Sequence, residues 1–206
     1  MITASELADL KKRAEELRKL VHHSGLTYRP LHSDFTFACK NWLKDRDSQF
    51  WSRTSIRCLC AAIEATLFSF RQMARQMAPL SKIEFEPEEQ EILCGRKIVN
   101  GVETKRPKYL SPSDSIKESF RLFGKALGAT VVVDYGVQGF ADLCMTFEIR
   151  NRLMHPKSPF DVQVDRKDID TADRAILWFN RTYQGVIDQC QKHVNENVAK
   201  LMEKNS

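Results

Sequence analysis

One stretch of the chain, from Gln49 to Met77, contains neither glycine nor proline and constrains the fold most strongly. Apolar side chains recur within it at steps of three and four residues, which is the period of an α-helix with one buried face. We therefore expect a long core helix here. Its one acidic residue, Glu64, lies in this apolar neighbourhood, where a carboxylate needs a partner or a solvated cleft.

Other segments repeat the helical pattern and together predict an all-α fold, a helical bundle of about five helices. Pro79 is expected to end the core helix, and a shorter helical piece is expected around Phe35 to Leu43. Residues Ala129 to Val133 are β-branched and fit either an extended strand or a buried loop. The further predicted helices cover Thr3 to Val21, Pro112 to about Leu127, Gln138 to Met154, and Asp168 to Met202.

A small β-hairpin is predicted between two of these helices. Asn100-Gly101 separates two short β-capable runs within Lys97 to Thr104, and this dipeptide favours a tight two-residue turn. Strongly charged segments flank the hairpin on both sides. We therefore interpret residues 82–110 as an arm inserted beside the bundle, within a single helical domain that covers residues 1–206.

Composition restricts the class of protein. A chain of 206 residues with 42% hydrophobic content can bury a core without disulfides. Its six cysteines are not paired at metal-binding spacing, so we expect free thiols, no metal and no cofactor. No apolar stretch is long enough to cross a membrane and no secretory signal begins the chain, which predicts a cytoplasmic protein. The net charge of +5 is compatible with an anionic partner such as nucleic acid.

The end of the fourth predicted helix carries the residues most suited to chemistry. Arg150, Asn151 and His155 are followed directly by Pro156. On an ideal helix, Arg150 and His155 would point about 140° apart. Pro156 disfavours the helical conformation at His155, so we expect the helix to loosen there. A purely structural interpretation is also open, because a cation and a polar cap both stabilise a helix C-terminus.

The segment from Arg150 to Pro156 resembles the Arg-x4-6-His motif of the HEPN superfamily, including the polar residue after the arginine and the proline after the histidine. The polar link from Asp161 to Asp170 and the helix that follows are similar to the same family, as is the run Ala61 to Ala65 in the core helix. The resemblance covers the regions Gln49 to Met77 and Gln138 to Met202. It leaves the first helix and the hairpin arm outside.

This resemblance implies a metal-independent endoribonuclease. In such a site Arg150 stabilises the phosphate, and His155 transfers protons during attack by the ribose 2′-hydroxyl. Asn151 would fix the geometry by hydrogen bonding, and Glu64 would orient His155 or Arg150. A structural ion pair explains Glu64 equally well.

The resemblance also predicts partners. RNA is the expected substrate, and contacts to it are expected from Arg152, Lys157, Lys105 and Arg106, although solvated surface charge is an alternative for each. A homodimer would bring two motifs to one cleft, in a toxin–antitoxin, phage-defence or stress role with an antitoxin or sensor protein as a further partner. Lys157 stands where one HEPN subgroup has a modified tyrosine, which makes that form of control doubtful. The alternative function is a non-catalytic HEPN module for protein or nucleotide binding and dimerisation.

Overall fold

The computed structural model describes residues Glu15, Lys19, 28–81 and 83–203. Over these residues it is mainly helical with one antiparallel hairpin, which confirms the predicted all-α helical bundle with a small hairpin. The helices are α1 (28–44), α2 (Gln49–Ser81), α3 (Pro87–Cys94), α4 (Pro112–Ala126), α5 (Gln138–Met154) and α6 (Arg166–Glu203), with a short 3-10 helix at Pro159–Val162, and the strands are β1 (Arg96–Val99) and β2 (Val102–Pro107).

Helix boundaries agree with the sequence patterns to different degrees. The predicted helix over residues 3–21 lies outside the described residues, except for Glu15 and Lys19, which are both helical. Helix α5 has the predicted bounds, whereas α1 is longer than the short piece expected. The expectation that Pro79 ends α2 was wrong, because the helix continues to Ser81. A proline this close to a helix end removes only one backbone hydrogen bond.

The described residues form two compact units. The first, here called the hairpin unit, consists of Leu67–Val132 and 185–203. The second, here called the motif unit, consists of 28–66 and Val133–Gln184. Whether residues 1–206 act as one domain stays a prediction.

The hairpin of the first unit has the predicted turn. Val99 pairs with Val102 across Asn100 and Gly101, and both turn residues have positive φ, at 51° and 76°. Two consecutive positive φ values define the turn type that matches the twist of a β-hairpin, and Asn-Gly is its preferred sequence. The sequence signal was therefore sufficient to locate this element.

Part of the predicted arm contributes to an apolar cluster of the hairpin unit, and whether residues 82–110 are an insertion stays a prediction. Helix α3, which the sequence analysis treated as a charged flank, buries Ile92 and Leu93. These side chains belong to one apolar cluster with Ala74 of α2 and Leu122 of α4. Residue 82, the first of the predicted arm, lies outside the described residues.

Between α4 and α5 the chain is an irregular loop, which decides between the two interpretations of Ala129 to Val133. The backbone of Val132 exchanges two hydrogen bonds with the Gln189 side chain, at 2.9 and 3.1 Å. Val131 lies so close to Gly124 that a Cβ atom on this glycine would be 2.4 Å from the valine Cγ2. Val131 therefore packs against α4, whereas Val132 is exposed, and the segment does not form a strand.

An ion pair between a buried carboxylate and a half-exposed guanidinium connects α5 and α6 in the motif unit. Asp142 is 4% exposed and accepts a 2.6 Å hydrogen bond from Arg174 Nε. The Arg174 guanidinium lowers the pKa of this carboxyl, with a smaller contribution from the Gln138 amide. A buried carboxylate without such donors would be strongly destabilising.

Thiols and hydropathy add two findings. All six cysteines are free, with Cys60 and Cys190 buried and the other four partly exposed. No helix in the described part of the chain combines the length and the apolar character that a membrane crossing requires.

Glu89 is the buried charge of the hairpin unit. It is 8% exposed and accepts hydrogen bonds from Arg121 at 2.7 Å, from Lys125 at 2.6 Å and from the Glu86 N–H at 2.9 Å. Burial by itself raises the pKa of Glu89, but these hydrogen bonds outweigh it and lower the pKa from its ordinary value. The carboxylate thus caps α3 and anchors it to α4.

Glu89→Gln should lower the free energy of unfolding at pH 7 by about 2 kcal/mol, because a neutral amide replaces a carboxylate that accepts charge-assisted hydrogen bonds. A lowered folded-state pKa stabilises the fold above the unfolded pKa, and this stability is lost as the pH falls through the folded pKa. The difference between wild type and variant should therefore disappear in acid. Urea unfolding at a series of pH values measures it, with Glu84→Gln, an exposed position, as control. A pH-independent difference would contradict the assignment.

Candidate functional site

The motif lies where α5 ends. Helix α5 stops at Met154, and His155 has a non-helical conformation with φ −131° and ψ 60°. This confirms the loosening expected from Pro156. Asn151 and His155 are exposed, and their side chains make no hydrogen bond with any residue that the structure describes. Both are therefore accessible to a ligand.

Arg150 has a different environment, because its guanidinium is partly covered and already paired. Its side chain is 26% exposed, and Nη2 donates to Glu64 Oε1 at 2.5 Å. The guanidinium carbon lies 5.5 Å from the centre of the Phe147 ring, a cation–π geometry. Its Nε is buried and has no hydrogen-bond partner within the described ranges. Of the two partners suggested for Glu64, the structure provides Arg150.

Below this pair lies the Cys60 thiol. Burial raises its pKa to about 12, although the neighbouring Arg150 charge opposes the rise. The thiol donates a 3.8 Å hydrogen bond to the Thr146 carbonyl. A thiol with this pKa stays protonated at neutral pH and is not a nucleophile.

Helix α2 holds the chain that follows the motif. Arg57 donates to the Leu153 carbonyl at 2.8 Å, and Arg53 donates to the Val162 carbonyl at 3.2 Å. One turn earlier, Gln49 exchanges two hydrogen bonds with the Val164 backbone, at 2.8 and 2.9 Å. These three side chains were not predicted from the sequence. Their spacing of four residues, which places them on one helix face, was the available signal.

Arg152 binds the same segment from α5. Its Nη1 donates to the carbonyls of Asp161 at 3.2 Å and Gln163 at 2.9 Å, and its Nη2 donates to Asp168 at 2.7 Å. The fork of the guanidinium therefore joins α5, the segment after it and the start of α6. The predicted contact of Arg152 with RNA stays a prediction, but the side chain has a structural task.

Asp161 caps the short 3-10 helix and fixes the chain beside His155. Its carboxylate accepts from the N–H groups of Lys157 at 2.7 Å and Ser158 at 2.9 Å. The hydrogen bond from the Lys157 backbone is the main cause of the lowered pKa of Asp161. The spacing of Ser158 and Asp161 is that of a capping box, a signal that the sequence analysis did not use.

The predicted RNA-contacting residues belong to both units. Lys157 is exposed in the motif unit, one residue after Pro156. Lys105 and Arg106 are exposed on β2 of the hairpin unit, and neither side chain pairs with a described residue. Each of the three is free to meet a phosphate, and their role stays a prediction.

No group of three or more His, Cys, Asp or Glu residues is arranged to hold a metal ion in the described ranges. No family model, curated protein or solved structure matches the chain. The resemblance to the HEPN superfamily therefore depends on the residues of the motif and its surroundings alone.

The structural task of Arg152 can be tested by a substitution that keeps its charge. Arg152→Lys should lower the free energy of unfolding almost as much as Arg152→Ala, by about 1–3 kcal/mol, because an ammonium group cannot reproduce the fork to two carbonyls and one carboxylate. Urea unfolding monitored by circular dichroism measures both. Arg181→Lys is the matched control, since Arg181 is exposed and has no partner in the described part of the chain. If Arg152→Lys were as stable as wild type, the structural role of the Arg152 guanidinium would be contradicted.

Proposed function

We propose that this protein is a metal-independent endoribonuclease of the HEPN type that acts on RNA in the cytoplasm. The observation that carries the proposal is the end of α5, where the free side chains of Asn151 and His155 follow the partly exposed guanidinium of Arg150. A proton-transferring imidazole, an amide and a fixed positive charge are the groups that RNA cleavage through the 2′-hydroxyl requires.

The proposed reaction is a transesterification. His155 removes the proton of the ribose 2′-hydroxyl while the 2′-oxygen forms a bond to phosphorus and the bond to the 5′-oxygen breaks. The leaving 5′-oxygen receives a proton, and the products are a 2′,3′-cyclic phosphate and a 5′-hydroxyl. The Arg150 guanidinium stabilises the charge on the phosphoryl oxygens, and Asn151 orients them by donating a hydrogen bond.

Glu64 must be reconciled with this role of Arg150. The Glu64 side chain is 52% exposed, so its carboxylate can rotate into solvent when a phosphate approaches. Exposed ion pairs are worth about 1 kcal/mol or less, which a second anion can offset. In this proposal Glu64 keeps the guanidinium in place before RNA binds and yields one nitrogen to the phosphate afterwards.

The proposal includes a homodimer. One His155 per chain must serve both proton transfers, whereas two chains that share a cleft supply two imidazoles and two guanidinium groups. Lys157 adds charge beside the motif for phosphate contacts. A nuclease of this kind in the cytoplasm requires control, so an antitoxin or sensor protein is the proposed partner, in a toxin–antitoxin, phage-defence or stress role.

A second candidate function is a non-catalytic HEPN module for binding and dimerisation. The guanidinium groups of Arg53, Arg57 and Arg152 all donate to backbone carbonyls, and Arg150 is paired with Glu64. Guanidinium groups whose N–H donors already bind protein acceptors have fewer donors left for phosphate. This candidate predicts binding partners but no cleavage.

The decisive experiment is cleavage of an end-labelled RNA by the purified chain in excess EDTA. His155→Ala should reduce the rate by roughly 10²–10⁴-fold, the usual effect of losing a general acid–base. Arg150→Ala should reduce it by roughly 10²–10³-fold, the usual effect of losing one group that stabilises the transition state. The cleaved ends should be a cyclic phosphate and a 5′-hydroxyl.

Two variants control this experiment. His193→Ala and Arg181→Ala remove the same chemical groups from α6, outside the motif segment Arg150 to Pro156, and should cleave like wild type. Cleavage that survives both motif substitutions would mean that other residues form the site. Absence of wild-type cleavage on structured and unstructured RNAs would favour the non-catalytic module.

Substitution of Glu64 tests whether its carboxylate positions Arg150 for the phosphate or competes with the phosphate for this guanidinium. If Glu64 orients Arg150, Glu64→Ala should lower the cleavage rate by about tenfold, less than Arg150→Ala, and the double variant should be no slower than Arg150→Ala alone. Single-turnover cleavage by the three variants measures this coupling. A faster reaction for Glu64→Ala would show that the carboxylate competes with the phosphate.

A further inference from the structure

A cavity separate from the motif lies within the motif unit, between α1, α2 and the first turns of α6. Its volume is about 300 Å³, at the lower end of the range for small-molecule sites. The walls are mainly apolar and include Phe35, Ile56, Leu59 and Ile176. None of the residues of the proposed RNA site lines it.

Two polar atoms on the wall of this cavity make no hydrogen bond of normal geometry within the part of the chain that the structure describes. The Ser55 hydroxyl belongs to a residue that is only 8% exposed, and it makes no hydrogen bond of normal geometry with a described residue. The Trp42 Nε1–H is likewise buried and unpaired. A buried polar group without a partner costs about 1–3 kcal/mol, so two of them in one cavity require an explanation.

The same cavity is lined by charged side chains of both signs. Arg46 lies 5.4 Å above the Trp42 ring, and Arg166 begins α6. Asp173 is the one carboxylate among the lining residues. Burial raises the pKa of Asp173, and the neighbouring Asp170 raises it further, while the two arginines oppose the rise. Arg166 pairs with Asp170 at 2.9 Å, so favourable potential for an anion comes mainly from Arg46.

We propose that this cavity binds a small aromatic carboxylate. The apolar walls and the Trp42 ring accept a planar body, for which a volume of about 300 Å³ is sufficient. The Trp42 N–H and the Ser55 O–H donate to the carboxylate oxygens, and Arg46 supplies the favourable potential. Bound ligand thus satisfies the two donors that the protein leaves open.

The predicted energetics of Ser55 are distinctive. In the described part of the chain the Ser55 hydroxyl makes no hydrogen bond of normal geometry and interacts only weakly with the Cys39 thiol beside it. Ser55→Ala should therefore leave the thermal stability of the unliganded protein nearly unchanged. The same substitution should weaken the ligand severalfold. A hydroxyl with only a structural role would give the opposite result, with lower stability and unchanged binding.

Isothermal titration of the full chain with 2-naphthoate tests the proposal. Wild type should bind one equivalent, and naphthalene-2-carboxamide, of the same shape but neutral, should bind more weakly. Trp42→Phe keeps an aromatic ring but removes the N–H, and should weaken 2-naphthoate by roughly tenfold, as expected for a lost hydrogen bond to a charged group. Ala172→Phe should fill the cavity and abolish binding.

Trp178→Phe is the matched control, since Trp178 packs against Tyr135 and Phe140 and does not line the cavity. It should bind like wild type. Circular dichroism verifies that each variant is folded. If Ala172→Phe does not fold, Ser55→Ala replaces it as the test of binding at this cavity. Absence of 2-naphthoate binding to the folded wild type would overturn the proposal, as would affinity that Trp42→Phe and Ser55→Ala leave unchanged.

Discussion

The backbone between Leu153 and Val164 imposes the constraint on which the motif depends. This segment forms neither a long helix nor a strand, so most of its carbonyls cannot be satisfied by regular secondary structure. Side chains of α2 and α5 supply the donors instead. Arg57, Arg53 and Gln49 bind it from α2, and the fork of Arg152 binds it from α5. The position of His155 follows from this arrangement, because the residue opens the segment that these donors fix.

Because of this arrangement, arginines near the motif are not by themselves evidence of RNA binding. A net charge of +5 and several arginines near the motif are compatible with RNA binding. However, a guanidinium that donates to carbonyls is chosen for its geometry, since it presents several N–H groups in a rigid plane. Arg53, Arg57 and Arg152 therefore contribute positive potential to the motif, while their hydrogen bonds are directed into the protein.

Sequence patterns predicted the elements whose signals are local. The Asn-Gly turn and the proline after His155 each act on one or two residues, and both signals were sufficient. Helix α3 was not predicted, because its many charged residues resemble a loop. Its helix-start signals, Pro87 at the first position and Glu89 in the capping box, were not used. The carbonyl contacts of Arg53 and Arg57 join residues 96 or more apart in sequence, and no local pattern contains them.

The site residues also differ in whether a local sequence signal indicates them. Pattern and family resemblance indicated Arg150, Asn151 and His155, which lie together on one short piece of chain. Glu64 was suggested because a lone acid interrupts an apolar face, and a charge in such a position needs a partner. Nothing in the sequence shows which partner, since Arg150 lies 86 residues further along the chain.

Arg150 is the residue on which the two candidate functions differ. Its Nη2 donates to Glu64, its buried Nε makes no hydrogen bond with a residue that the structure describes, and its side chain is still 26% exposed. Arg53, Arg57 and Arg152, the other arginines near the motif, direct donors to backbone carbonyls. Arg150 instead pairs with a half-exposed carboxylate that solvent can take over at little cost. Of the arginines around the motif, it is therefore the one whose present partner a phosphate can replace without opening the segment that positions His155.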